Sequence, residues 1–452
     1  MMEKADIIII GAGPGGYETA LHAAAEGKKV ILFNGERLGG TCLNEGCIPT
    51  KCLCRDAEVV TLFKTADRFG VDDYTFSVDF NKISARKNEV VTRLREGVDA
   101  MLKKAGVTLV NARASFKDAR TVEAAGEEYT ADDIIIASGS TSKSLPIPGH
   151  DLECVMDSTR ILDIEYVPAS LIIIGGGVIG MEFASIFSQL GSKVTVIEFM
   201  KQILPPFDSD IAKRLKQTLS KRGVDIITGA AAKSIQQNDE YEIVVTYEAK
   251  GKECTVTGTD LLMAVGRAPR VEGLNLEAAG VEYTPKGIPV DDNMRTNVEH
   301  IYAIGDVNAR MMLAHVASFQ GQRALNAIEG KTDSIRFDVV PSAVFTNPEC
   351  GMAGLTEEEC KAKGIEIETG KSFFRANGKA LALGEEEGLC KLIFAKADGK
   401  LLGAHIMGAE AAILAQQCAD MITLGVTRAQ IKDIIFGHPT LSEVILDAAR
   451  MS

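Results

Sequence analysis

At 452 residues the chain is long enough for about two to four domains, each with its own core. A formal net charge of −13 without any basic tract excludes nucleic acid and anionic membrane surfaces as expected partners, and no apolar run approaches the roughly 20 residues of a membrane span. The ten cysteines are diluted through the sequence. The N-terminal MMEKADIIIIGAGPGG shows no basic segment, apolar run and cleavage site, so the expected setting is a reducing cytoplasm.

In chain order the first signal is an apolar run, DIIII (6–10), with GAGPGG directly behind it. Gly11, Gly13 and Gly16 have the spacing of a dinucleotide fingerprint in its required context of strand, tight turn and helix (YETALHAAAEG). The first glycine permits the turn, the second lets backbone approach a pyrophosphate, and the third lets the helix pack on the strand. A second strand, KKVILF (28–33), follows on schedule. Where an acid ordinarily meets the ribose hydroxyls, the chain reads Phe33-Asn34-Gly35-Glu36. Asn34, which ends the strand, is the favoured acceptor through its amide oxygen, with Glu36 as the alternative.

Next comes GGTCLNEGCIPTK (39–51). Cys47 stands just before Pro49 and Lys51 where helical sequence begins, and a thiol at a helix N-terminus beside a lysine is favoured as thiolate. Thiolate is the form that exchanges disulfides, so Cys42 and Cys47 read as a redox-active pair. Other readings stand beside it. A structural disulfide closing so short a ring contributes only about 2 kcal/mol. The gaps among Cys42, Cys47, Cys52 and Cys54 match neither ferredoxin nor zinc-ribbon spacing, so no metal site is expected. Inert buried thiols are the ordinary reading for the six cysteines scattered singly.

Residues 78–105 read as a charged surface helix, with strands at 107–110, near 120–129, and at Ile134–Ile136 ending on Ser138-Gly139. A second fingerprint, SLIIIGGGVIGMEFA, places Gly175, Gly177 and Gly180 after a strand, and KVTVIE ends in Glu198, where a carboxylate should meet a ribose diol. Glu198 favours NAD over NADP, because it repels a 2'-phosphate and Phe199 and Met200 supply no arginine; Lys201 is the one nearby cation. The apolar run LLMAVGRAPR reads as the strand that closes this module at Gly266-Arg267. MRTNVEHIYAIGDV then has a strand ending in Gly305-Asp306. Past 335 the chain alternates strands (VVPSAVFT, CKLIFAK, LLGAHIMG) with long helices and carries no glycine fingerprint, which reads as an α+β unit. In its tail, FGHPTLSEVILDAARMS, His438 precedes a proline and Glu443 opens a helix, a candidate base with an orienting carboxylate.

The order of these motifs (FAD fingerprint, GGTCLNEGCIPTK, second fingerprint, GRAP, IYAIGD, HPTLSE) spans nearly the whole chain and resembles the flavoprotein disulfide reductases. Within that family, CLNEGCIPTK, PSAVFTNPE, FRANGKALALGE and HPTLSE are most similar to the branch that oxidises dihydrolipoamide. The resemblance implies an α/β fold with two Rossmann-like dinucleotide-binding domains and a C-terminal α+β dimerisation domain: an FAD domain (1–145), an NAD domain (146–270), a central segment completing the FAD domain (271–335) and an interface domain (336–452). It implies FAD and NAD as cofactors, a homodimer, and a lipoyl-bearing protein or free lipoamide as substrate. Cys42 is then the interchange thiol and Cys47 the thiol beside the flavin, with Lys51 near the flavin and Glu182 as its ion-pair partner. Gly40, Thr41, Ala114, Ser138, Gly139, Asp306, Ala314 and His315 are expected on the FAD side, with Ala232, Gly266 and Arg267 on the NAD side. His438 and Glu443 are expected to act from the other subunit. Reduction of another disulfide, such as glutathione or coenzyme A disulfide, is the alternative within the family. A flavin-binding redox sensor without turnover would need neither Cys42–Cys47 nor His438–Glu443. Phe436, where the family often has a second histidine, and Asn34 are the departures from the pattern.

Overall fold

The computed structural model describes residues 3–451. Its first sheet is built on Glu3–Ile10, which pairs in parallel with Val30–Phe33 on one side and with Glu127–Ile136 on the other. Ile7 to Ile10 are buried on both faces, as a central parallel strand covered by helices requires. Ile301–Ala303 returns from far along the chain to pair in parallel with Ile134–Ile136, so the 300s complete the sheet that the N-terminus began.

The second sheet repeats the plan. Ser170–Ile174 lies between Lys193–Glu198 and Asp260–Met263, all parallel, with Asp225–Thr228 and Val155–Met156 at the edges. The third sheet is antiparallel, in the order Ser342–Val344, Cys350–Gly354, Leu401–Met407, Leu389–Ala395, Ile367–Phe373, and is backed by the helix Ala411–Thr423. Two α/β modules and an α+β unit are therefore present, as expected.

Several elements differ from the sequence reading. The strand expected near 120–129 is a hairpin of Thr121–Ala124 and Glu127–Ile136, turned at Ala125 and Gly126, both with positive φ. The second arm runs straight on into the isoleucines. LLMAVGRAPR breaks in two at Gly266 (φ +110): Asp260–Met263 stays in the second sheet, while Arg267–Pro269 pairs with Ser140–Ser142. An antiparallel meander, Ala230–Gln237, Ile243–Ala249 and Lys252–Gly258, is not marked by the sequence pattern: its outer strands are half polar and its central strand offers only the short apolar run Ile243–Val245. Cys350–Gly354 and Ile367–Phe373 were likewise missed, and VVPSAVFT supplies only the short strand Ser342–Val344.

Candidate active site

Both glycine turns have the geometry that only glycine tolerates. Gly11 and Gly175 have φ of +114° and +112°, and a Cβ on either would lie 2.2 and 2.3 Å from the carbonyl oxygens of Ala137 and Ala264. A Cβ on Gly16 or Gly180 would lie 1.8 or 2.0 Å from the oxygen of Gly11 or Gly175, so these third glycines seat the helix on the turn and do not line the cavity. Gly13 and Gly177 do line it. A single cavity of about 2000 Å³ runs from the first turn to the second, past the dithiol segment. Its bare backbone at both turns, each opening a helix (Pro14–Ala25 and Val178–Leu190), suits the phosphates of two dinucleotides.

On the first module the cavity is lined by Asn34, Glu36, Gly40, Thr41, Ala114, Ser138 and Gly139, and further along by Asp306, Ala314 and His315. Asn34 is buried; its Nδ2 donates to Asn111 Oδ1 at 2.8 Å, which leaves its own oxygen to accept. Glu36 Oε1 already accepts from Arg113 (2.6 Å) and Arg270 (2.9 Å). Asp306 Oδ2 accepts from Ser140 Oγ at 2.5 Å, and Arg267 holds that serine through its hydroxyl (2.7 Å) and carbonyl (2.9 Å). The ring nitrogen Nε2 of His315 is 3.0 Å from the Pro341 oxygen.

On the second module Ala232, Gly266, Arg267 and Glu198 line the cavity. Glu198 ends its strand with both oxygens engaged, accepting from the backbone N–H groups of Gly176 and Met200, each at 2.5 Å. Phe199 and Met200 line the cavity here and Lys201 does not, so the acidic end of this site has no cation from its own strand-end loop.

The dithiol lies between the modules. Gly40–Glu45 forms a short helix, and Cys47 opens the helix Cys47–Lys64. Both sulfurs are free thiols and both residues line the cavity. The hydrogen bond from Cys42 pulls Cys47 down to about 7, against burial, and Lys51 adds to the effect while Glu182 opposes it. Cys42 is correspondingly pushed up, by that hydrogen bond and then by burial. The shared proton is therefore biased toward Cys42 and the thiolate character toward Cys47. Lys51 Nζ is 3.0 and 3.1 Å from the two oxygens of Glu182, which is buried on the helix Val178–Leu190 of the second module. Burial acts against the Lys51 charge, but Glu182 outweighs it, and the ammonium stays protonated.

His438 and Glu443 form a dyad of their own. Nδ1 of His438 is 3.0 Å from Glu443 Oε1, and the Thr440 N–H donates to Oε2 at 3.0 Å. That backbone bond, then the imidazole, hold the Glu443 carboxyl below its ordinary range. The His438 side chain is 77% exposed, and no residue beyond Thr423 lines the cavity of its own chain. Within one chain, therefore, the dyad and the dithiol are not brought together.

Residues 5–321 match the pyridine nucleotide-disulphide oxidoreductase family, and residues 340–449 match its dimerisation domain. The chain belongs to this family. Dihydrolipoyl dehydrogenases of Bacillus subtilis and Chlamydia muridarum are each 38% identical to it, over 98% and 100% of this chain and 97% of each relative. That of Geobacillus stearothermophilus is 37% identical over 99% of this chain and 96% of the relative. Among solved structures, the Cu(II) complex of the HOCl-induced flavoprotein disulfide reductase RclA from Escherichia coli superposes with a TM-score of 0.89 at 29% identity, covering 99% of both chains. As a pyridine nucleotide-disulphide oxidoreductase the protein is an NAD-dependent flavoenzyme, and its cofactors are FAD and NAD. It carries the family's dimerisation domain, and none of its described helices is long and apolar enough to cross a membrane.

Four residues at the site escaped the sequence reading: Ser140, Arg113, Arg270 and Phe345, all of which line the cavity. Ser140 sits two residues past the expected Ser138 and was within reach of the SGS signal. The arginines and Phe345 lie in loops or beside a short strand, where neither periodicity nor spacing marks them.

Proposed function

We propose that the protein is a dihydrolipoyl dehydrogenase that works as a cytoplasmic homodimer on a lipoyl group carried by another protein, or on free dihydrolipoamide. The observation that carries this reading is the dyad. An imidazole with one nitrogen on a carboxylate and the rest of its ring exposed is a base awaiting a proton donor, and it stands on the dimerisation domain outside its own chain's cavity. A second copy would supply it to Cys42. The same reading divides the chain into an FAD module (1–145), an NAD module (146–270), a central segment (271–335) and an interface domain (336–452); the pairing of Ile301–Ala303 with Ile134–Ile136 supports assigning the central segment to the FAD module.

The enzyme starts with Cys42 and Cys47 joined as a disulfide. One thiol of dihydrolipoamide gives its proton to His438, and Glu443 keeps the ring oriented and stabilises its cation. The substrate sulfur attacks Cys42, the Cys42–Cys47 bond breaks, and Cys47 leaves as a thiolate beside Lys51. The second substrate thiol then displaces Cys42 from the mixed disulfide and its proton passes to the departing Cys42 sulfur, closing the lipoamide ring and leaving a Cys42 thiol with a Cys47 thiolate, the reduced pair. Bound FAD would supply the two-electron chemistry that links this pair to NAD+, the Cys42 thiol and Cys47 thiolate closing again to the disulfide as they give up an electron pair and the Cys42 proton. Asp306 and Asn34 would hold the FAD ribityl and ribose hydroxyls, and Glu198 the NAD ribose.

Anaerobic titration with dihydrolipoamide and then NAD+ tests the reading. A long-wavelength thiolate–flavin band should appear and then fade on NAD+ addition. A flavin that ignores dihydrolipoamide but responds to NADH would sink it. The likeness to RclA supports a second reading, reduction of a different disulfide; a panel including glutathione and coenzyme A disulfides with NADH separates the two, and lipoamide as the poorest substrate would favour the second.

A further inference from the structure

Phe345 follows the strand Ser342–Val344 in the dimerisation domain and touches three parts of the redox centre. Its N–H donates to Glu182 Oε1 at 2.9 Å, its carbonyl accepts from Cys54 Sγ at 3.2 Å, and Lys51 Nζ lies 4.5 Å from its ring centroid. Two residues on, the Asn347 N–H donates to Ser185 Oγ at 2.9 Å and its amide to Gln189 Oε1 at 3.1 Å. Glu182, Ser185 and Gln189 share one face of the helix Val178–Leu190. Segment 345–347 is thus laid along that face and tied by Cys54 to the neighbouring helix Cys47–Lys64, which fixes the ring under the ammonium. Lysine is a point charge on a flexible stem, and a carboxylate alone does not set its direction. A phenyl face does, by attracting the cation from one side.

We propose that Phe345 is a positioning residue for the Lys51 ammonium, holding it between Glu182 and the Cys47 sulfur, so that the dimerisation domain sets the charge at the redox centre of its own chain. The inference rests on the reading of Cys47 as the thiolate of the reduced enzyme. The ionisable groups around the Lys51–Cys47 pair are Cys42 with Tyr17 beyond it, Cys54 on the same helix, Glu182 on the facing helix and Glu349 on the segment past Phe345. Lys51 is the one cation in that set, so displacing it disfavours the thiolate.

The test is the pH dependence of the thiolate–flavin band in FAD-loaded enzyme reduced anaerobically with NADH, for wild type, Phe345→Leu, Phe345→Tyr and Lys51→Met. Phe345→Leu should raise the midpoint by about half to one pH unit, and Phe345→Tyr, which restores a ring, should return it to the wild-type value. If the leucine variant loses FAD, Phe345→Met, of similar volume without an aromatic face, takes its place. A Leu or Met variant titrating with wild type while Lys51→Met moves upward overturns the role of Phe345. Because NADH generates the band without the substrate, a parallel dihydrolipoamide reduction that fails would count against the proposed substrate alone.

Discussion

Replacing His438 by Gln removes the base while keeping a side chain that can still reach Glu443. General-base catalysis contributes about a hundred-fold to ten-thousand-fold, so dihydrolipoamide turnover should fall by at least about a hundred-fold. Reduction of the flavin by NADH, which needs no proton from a dithiol substrate, should be retained. The geometry predicts more when two defective chains are combined. The dyad is exposed and outside its own cavity, whereas Cys42 and Cys47 line that cavity. In a hybrid of one Cys47→Ser chain and one His438→Gln chain, a site assembled across the dimer pairs the intact dithiol of one chain with the intact histidine of the other. The second site of the hybrid carries both lesions. Random association of equal pools makes about half of the dimers hybrids, each with one working site of two, so about a quarter of the wild-type sites should be active. A site contained within one chain would give none. The assay is steady-state NADH formation from dihydrolipoamide by the co-expressed, unselected mixture, with the two parents as blanks; selecting hybrids through two different tags should raise the active fraction to about a half. A hybrid preparation no more active than its parents would refute assembly of the site between chains.

Gly16→Ala puts a methyl group 1.8 Å from the Gly11 oxygen, and since both are backbone the turn must open; the purified variant should be depleted of FAD, read from the flavin-to-protein absorbance ratio. Gly177→Ala meets nothing within 4 Å and should fold and keep FAD, with any effect confined to KM for NAD+. Lys391 is buried with its ammonium 2.8 Å from both oxygens of Asp208, itself fully buried, and Lys391→Met strands that carboxylate; urea unfolding should show a loss of about 3–5 kcal/mol. Burial acts to raise Asp210, but hydrogen bonds from Lys371 and Lys391 hold its carboxyl at about 2 against an ordinary 3.8. A depressed carboxylate stabilises the fold above its unfolded value and loses that contribution as pH falls toward the folded one. Asp210→Asn should therefore flatten the decline in stability between about pH 4 and pH 2 in thermal melts.

Much of the site was legible because its signals are local. A dinucleotide turn needs glycines at fixed offsets from a strand, and both turns fell where the sequence placed them, with the third glycine buried in the helix contact in each case. The dithiol announced itself by a cysteine at a helix start with a lysine one turn on, and the helix does begin at Cys47. The strand errors have equally local causes. LLMAVGRAPR is one apolar run on paper, but the positive φ at Gly266 divides it between two sheets. In the meander from Ala230 only the central strand alternates buried and half-buried residues, and the polar outer strands AAAKSIQQ and KECTVTG give no apolar pattern to reveal its partners.

The amino-acid sequence by itself determined the two nucleotide turns, the helix that presents Cys47 and the spacing that lets Glu443 reach His438, because each is settled by residues within a few positions of one another. Tertiary structure decided the rest. Lys51 meets Glu182 across 131 residues, Ser140 meets Asp306 across 166, and Phe345 meets Glu182 across 163. No local preference encodes these contacts; they exist because two modules and the dimerisation sheet pack against one another and bring distant charges into a shared, partly dry space.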